Sequence, residues 1–80
     1  MKLSLITPQG TVFSDEISAA TLPGSNGQFT VLPGHTFLVS ELAAGTLKVV
    51  TAGRERSFQL GSGVAEIAND KVTVLVEKAS

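Results

Sequence analysis

Leu22-Pro23-Gly24-Ser25-Asn26-Gly27-Gln28-Phe29-Thr30-Val31-Leu32-Pro33-Gly34-His35 carries both signals that set the fold. Gln28-Phe29-Thr30-Val31 alternates polar and apolar side chains, and successive residues of a strand point to opposite faces, so this segment predicts a strand with one apolar face. Proline and glycine clusters bound it, Pro23 to Gly27 before and Pro33-Gly34-His35 after. The same alternation recurs outward in both directions, in Lys2-Leu3-Ser4-Leu5 and in Lys71-Val72-Thr73-Val74. Further breaks fall at Thr7-Pro8-Gln9-Gly10, Ala44-Gly45, Gly53-Arg54, Gly61-Ser62-Gly63 and Asn69-Asp70. Seven breaks imply about eight short strands, within a range of about 8–10, and hence an all-β fold, either a β-sandwich or a small barrel. Pro8 and Gly10 suit the second and fourth positions of a type I reversal, and Asn69-Asp70 suits a two-residue hairpin. Ser40 to Gly45 has helical composition but is too short to be stable as a helix, so it is expected to be strand end and turn.

The chain has 80 residues, too few for two cores, so residues 1–80 are expected to form a single domain. Hydrophobic residues make up 42% and charged ones 16%, which places it among globular rather than disordered chains. Six basic against seven acidic residues give a net charge of −1, which supplies no field for nucleic acid. No apolar run approaches the ~18 residues of a membrane span, and Met1 to Gly10 lacks a signal peptide's apolar stretch, so a soluble, cytoplasmic-side chain is expected.

The residues offer little to catalysis. There is no cysteine and one histidine, His35, so a metal site would need carboxylates gathered from several strands; none is expected. Asp15 and Glu16 are adjacent in a strand and face opposite ways, which prevents acid/base pairing. No Gly-x-Ser-x-Gly elbow occurs, and neither Gly24–Gly27 nor Gly61–Gly63 leads into a Gly-Lys-Ser/Thr nucleotide loop. Phe13, Phe29, Phe37 and Phe58 are expected in the core rather than as base-stacking platforms. Lys71 beside the Asn69-Asp70 turn admits an alternative, a lipoyl or biotinyl carrier domain, although Asn69 and Val72 are not the small residues or methionines such motifs use. A generic β-sandwich adaptor is a third reading. The alternation also has exceptions, at Phe37-Leu38-Val39, Leu47 with Val49-Val50, and Val74-Leu75-Val76. If Leu38, Val50 and Leu75 share an outer face, they form one docking patch in which each residue contributes about 1.5–3 kcal/mol on burial.

The Leu22–His35 stretch, with Thr7-Pro8-Gln9-Gly10-Thr11-Val12-Phe13 before it and Gly61-Ser62-Gly63-Val64-Ala65-Glu66-Ile67 after, resembles the N-terminal β-sandwich domain of the F-type ATP synthase epsilon subunit. The resemblance runs in order along nearly the whole chain, and it implies a small β-sandwich of two mostly antiparallel sheets. It implies a non-catalytic central-stalk, or rotor, subunit that links the gamma subunit to the membrane c-ring, so that proton flow is coupled to ATP synthesis. It implies no cofactor, no small-molecule substrate, and a peripheral place on the cytoplasmic side of a bacterial inner membrane, held only through the complex. By position it implies that Thr7, His35 and Ser40 lie close to gamma, joined by the apolar candidates Leu38, Val50 and Leu75. Asn26, Gly27 and Gln28 match the loop that faces the c-ring. Departures from the family pattern are Gln28 where glutamate is frequent, Thr30 where glycine is, and Thr36-Phe37 where Ala-Pro follows the histidine. No C-terminal helical hairpin is expected within the chain, which ends at Glu77-Lys78-Ala79-Ser80, and the regulatory roles of that hairpin are not carried over.

Overall fold

Alternating sequences become strands because only the pleat sends every second side chain to the same face. The computed structural model describes residues 1–34 and 36–80, and among them every regular element is a strand. In chain order these are β1 (Lys2–Thr7), β2 (Gly10–Glu16), β3 (Ala19–Gly24), β4 (Gly27–Val31), β5 (Leu38–Leu42), β6 (Gly45–Thr51), β7 (Arg54–Leu60), β8 (Gly63–Ala68) and β9 (Lys71–Val76). Hydrogen bonding orders them as β2-β1-β9-β8-β5 and β4-β3-β6-β7, two sheets that meet through the Gly24–Leu42 pair. All pairings are antiparallel except β1 with β9, so the chain's two ends lie side by side in one sheet. The sheets stack on Leu3, Leu5, Val72 and Val74 from the first, and Leu22, Val31, Leu47 and Val49 from the second, all buried.

The turn chemistry follows the residues. Asn69 and Asp70 both take positive φ, 52° and 60°, the type I′ geometry that matches the right-handed twist of the flanking strands. Ala52 and Gly53 do the same at 52° and 74°, although alanine carries a Cβ that disfavours this region. Thr7 closes the first reversal: its Oγ1 donates to the Gly10 carbonyl at 3.4 Å and accepts from the Gln9 N–H at 3.3 Å.

Three features depart from the sequence reading. Pro23 and Gly24 belong to β3 rather than to the turn. The β6 ladder ends at the Thr21–Lys48 pair, so no rung requires the N–H that proline lacks, and the Pro23 carbonyl instead accepts from Ala43 N–H at 2.8 Å. An extra break falls at Ile17–Ser18, where the chain crosses between sheets without glycine or proline. Hydrogen bonds hold this corner, from Ile17 N–H to Met1 O (2.7 Å), Ser18 N–H to Val50 O (2.8 Å) and Thr51 Oγ1 to Glu16 O (2.7 Å). Phe37 is not a core residue. It lies between β4 and β5 with 68% of its surface exposed, because the alternation that buries Leu38 inward begins only after it.

The outermost strands β2 and β7 meet at the other corner without a backbone ladder between them. Phe13 and Phe58 close this seam, each 7% exposed, with ring centroids 5.3 Å apart and planes tilted by 52°. Arg56 shares the inner face of β7 with Phe58 and lays its guanidinium over both rings, 5.1 Å from Phe13 and 5.2 Å from Phe58. An inward charge on an edge strand also discourages pairing with another chain.

Candidate functional site

The registers decide which apolar residues share a surface. Ile6 pairs with Leu75, and Leu75 with Val64, so the three form one row across β1, β9 and β8 on the outer face of the first sheet. Their neighbours along the strands, Leu5, Val74 and Ala65, are buried on the inner face. Leu75 is 47% exposed, and Val39, also exposed, stands one strand further on the same face. At the lip of the row Ile6, Leu75, Thr7 and Pro8 line an open depression of about 400 Å³ with Ser62 and Glu77.

The outer face of the second sheet is different. Thr30, Thr21, Lys48 and Ser57 form one row, in which the Thr21 and Thr30 hydroxyls lie 3.1 Å apart. Beside it Gln59 Nε2 donates to Thr46 Oγ1 at 2.8 Å. These hydroxyls, the amide and the lysine are satisfied by water, whereas the Ile6–Leu75–Val64 row, with Leu75 exposed and its two neighbours partly buried, is not.

A second feature sits at the β3–β4 hairpin. Ser25 and Asn26 form its tip, and Gly27 follows at a φ of 123°, which a side chain rarely adopts. The tip is tied to β5 by Ser25 N–H donating to Glu41 O at 2.9 Å. Asn26, Gly27 and Gln28, all exposed, line an open depression with Phe29, Val39, Ser40 and Glu41. Gly24 is required beneath it, since a Cβ there would stand 2.6 Å from Gly27 O and 2.9 Å from the Phe29 ring.

The residues singled out from the sequence are therefore distributed. Thr7 and Leu75 lie together at the apolar depression, and Ser40 lies with Asn26, Gly27 and Gln28. Leu38 points inward opposite Ile67 and packs on the core, while Val50 sits on the outer face of the other sheet beside Ala19 and Glu55. The single patch expected of Leu38, Val50 and Leu75 is thus not formed, because strand pairing puts them on three different surfaces. His35 lies outside the described residues. Ile6 and Val64 were missed, though Val64 had a signal: it precedes Ala65 and Ile67 by odd steps, so it must face away from their buried side. Lys71 is a ladder residue paired with Lys2 and Ala68, not the tip of its turn.

Among the described residues no three histidine, cysteine or acidic side chains gather as metal ligands. The geometry defines a class: a small β-sandwich that presents an apolar outer row on one sheet and a neutral polar hairpin tip at its end. The chain belongs to the family described as ATP synthase, Delta/Epsilon chain, beta-sandwich domain, which it matches over residues 1–80. It is 41% identical over 80 residues to the ATP synthase epsilon chain of Sulfurovum sp. (strain NBC37-1), covering 99% of this chain and 62% of that one. It is 33% identical over 79 residues to the ATP synthase epsilon chain of Helicobacter pylori (strain ATCC 700392 / 26695), covering 99% and 64%. The chain thus spans less than two thirds of the length of these relatives. Among solved structures it superimposes with a TM-score of 0.91 and 26% identity on a chain of the Euglena gracilis mitochondrial ATP synthase, OSCP/F1/c-ring, covering 98% of this chain and 51% of that one. A chain of the Tetrahymena thermophila mitochondrial ATP synthase central stalk/c-ring shares the fold, with a TM-score of 0.84 at 17% identity, over 100% and 65%.

Proposed function

We propose that this chain acts as a non-catalytic central-stalk subunit of a proton-translocating F-type ATP synthase, joining the gamma subunit to the membrane c-ring so that proton flow is coupled to ATP synthesis. Family membership along all 80 residues supports this reading. The observation that carries its mechanism is the Ile6–Leu75–Val64 row, an apolar strip on the outside of a sheet whose other side is already core. A permanent neighbour removes such a strip from water, and gamma is the neighbour proposed.

The contrast between the two outer faces supports a choice of side. The first sheet docks on gamma through Leu75, Ile6 and Val64, with Thr7 at the lip. The hydroxyl-lined second sheet stays in solvent, and Val50 with it. Leu38 supports the docking sheet from below by packing opposite Ile67. Ser40 and His35 remain proposed gamma-side positions from the family pattern. Asn26, Gly27 and Gln28 meet the ring with neutral hydrogen bonds, each worth about 0.5–1.5 kcal/mol net. The role needs no cofactor and no small-molecule substrate. Its place is peripheral, at the cytoplasmic side of an energy-transducing bacterial membrane and held there by the complex.

The test is binding to isolated gamma. Leu75 retains about half its surface for a partner, so docking it contributes ~0.7–1.5 kcal/mol, and Leu75→Ser should weaken binding about 3- to 12-fold. A double Asn26→Ala, Gln28→Ala variant should bind gamma unchanged but assemble poorly with c-rings. Equal gamma affinity of wild type and Leu75→Ser would show that the docking face lies elsewhere.

A further inference from the structure

The chain has two asparagines, Asn26 and Asn69, and their surroundings differ in a way that has chemical consequences. Asn26 is exposed at the hairpin tip and is followed by a glycine, with nothing within 4 Å of the position a Cβ would take on Gly27. Among the described residues no hydrogen bond restrains its carboxamide, so the side chain is free to fold back over its own backbone. Gly27 is the last residue paired across the hairpin, with Gly24, and a terminal rung is the first to fray. Asn69 is exposed too, but Asp70 follows it. The Asp70 side chain flanks the nitrogen that would have to react, and both residues are set in left-handed turn geometry.

We propose that Asn26 is a site of spontaneous deamidation. When the terminal rung opens, solvent base takes the Gly27 amide proton and the nitrogen attacks Asn26 Cγ. A carbon–nitrogen bond forms, the bond to the side-chain nitrogen breaks, and ammonia leaves with a proton from water, closing a five-membered succinimide. Water then opens the ring at either carbonyl, giving aspartate or isoaspartate, with no net oxidation or reduction. The product places a carboxylate in the depression that already holds Glu41, adding one negative charge to a chain of net charge −1. The isoaspartate form also lengthens the backbone at the tip by one carbon. The modification follows from the tip's chemistry and is independent of which partner the tip meets.

The test is peptide mapping by mass spectrometry of the folded protein after incubation at neutral and mildly alkaline pH. The NH2-to-OH mass change should accumulate at Asn26 at least about tenfold faster than at Asn69, the ratio produced by a barrier difference of about 1.4 kcal/mol. It should rise in proportion to hydroxide and disappear from this peptide in Asn26→Gln, a substitution at an exposed side chain that leaves the melting transition in place. A ratio below about tenfold, or a rate indifferent to pH, overturns the proposal.

Discussion

The corner between β2 and β7 has no backbone ladder, so its closure should depend on three side chains, and this can be measured. Replacing Phe13 by leucine keeps most of the buried area but removes an aromatic pair, worth about 0.5–1.5 kcal/mol beyond area burial, and one cation–π contact of about 0.5–1 kcal/mol. The sum is ~1–2.5 kcal/mol for Phe13→Leu, and the same applies to Phe58→Leu, because Arg56 lies within 5.2 Å of both rings. The two substitutions remove one shared contact, so the double variant should be less destabilised than the sum of the singles by about 0.5–1.5 kcal/mol. Arg56→Ala should destabilise by about 1–2 kcal/mol, since it faces both rings. The assay is urea unfolding of the four members of the cycle and of Arg56→Ala. A coupling indistinguishable from zero, with Arg56→Ala within about 0.5 kcal/mol of wild type, would refute the seam argument and leave the Ile17–Ser18 crossing to hold the corner.

Other outcomes follow from single positions. Ala52→Asn should raise stability by about 0.5–1 kcal/mol, seen as a higher urea midpoint at unchanged slope, because asparagine tolerates the left-handed φ that Ala52 adopts. Gly63→Ala should destabilise by at least about 2 kcal/mol, since its Cβ would collide with Leu75 O and stand 2.7 Å from Val76 Cα; calorimetry should show a lower melting temperature. Thr7→Val, read by the same unfolding assay, should destabilise by about 1 kcal/mol, through loss of the hydroxyl that closes the first turn.

Much of this architecture is legible in the sequence because it rests on local physics. The period of two places Leu3, Leu5, Val72 and Val74 on one face, and glycine, proline and the Asn69-Asp70 pair mark the turns that join neighbouring strands. What is not legible depends on non-local pairing. Nothing near Lys2 or Lys71 announces that β1 and β9 run parallel, and the Ile17–Ser18 corner has no turn residue because hydrogen bonds from distant strands make it. The candidate site divides in the same way. The hairpin turn is a local feature that falls within the break the sequence marks, at Ser25 and Asn26, while Gly27 and Gln28 are already paired in β4. The apolar row is assembled from three strands, so Leu75 could be suspected alone, while its partners Ile6 and Val64 emerge only with the register.

The proposed docking of one outer sheet face on gamma can be measured by titrating isolated gamma with this chain and with a Leu75→Ser, Val64→Ser double variant, after circular dichroism confirms that both are folded. Wild type should bind saturably and the double variant should lose about tenfold in affinity, as expected when a half-exposed leucine and a partly buried valine no longer leave water. Undiminished binding by the double variant, or none by wild type, would contradict it.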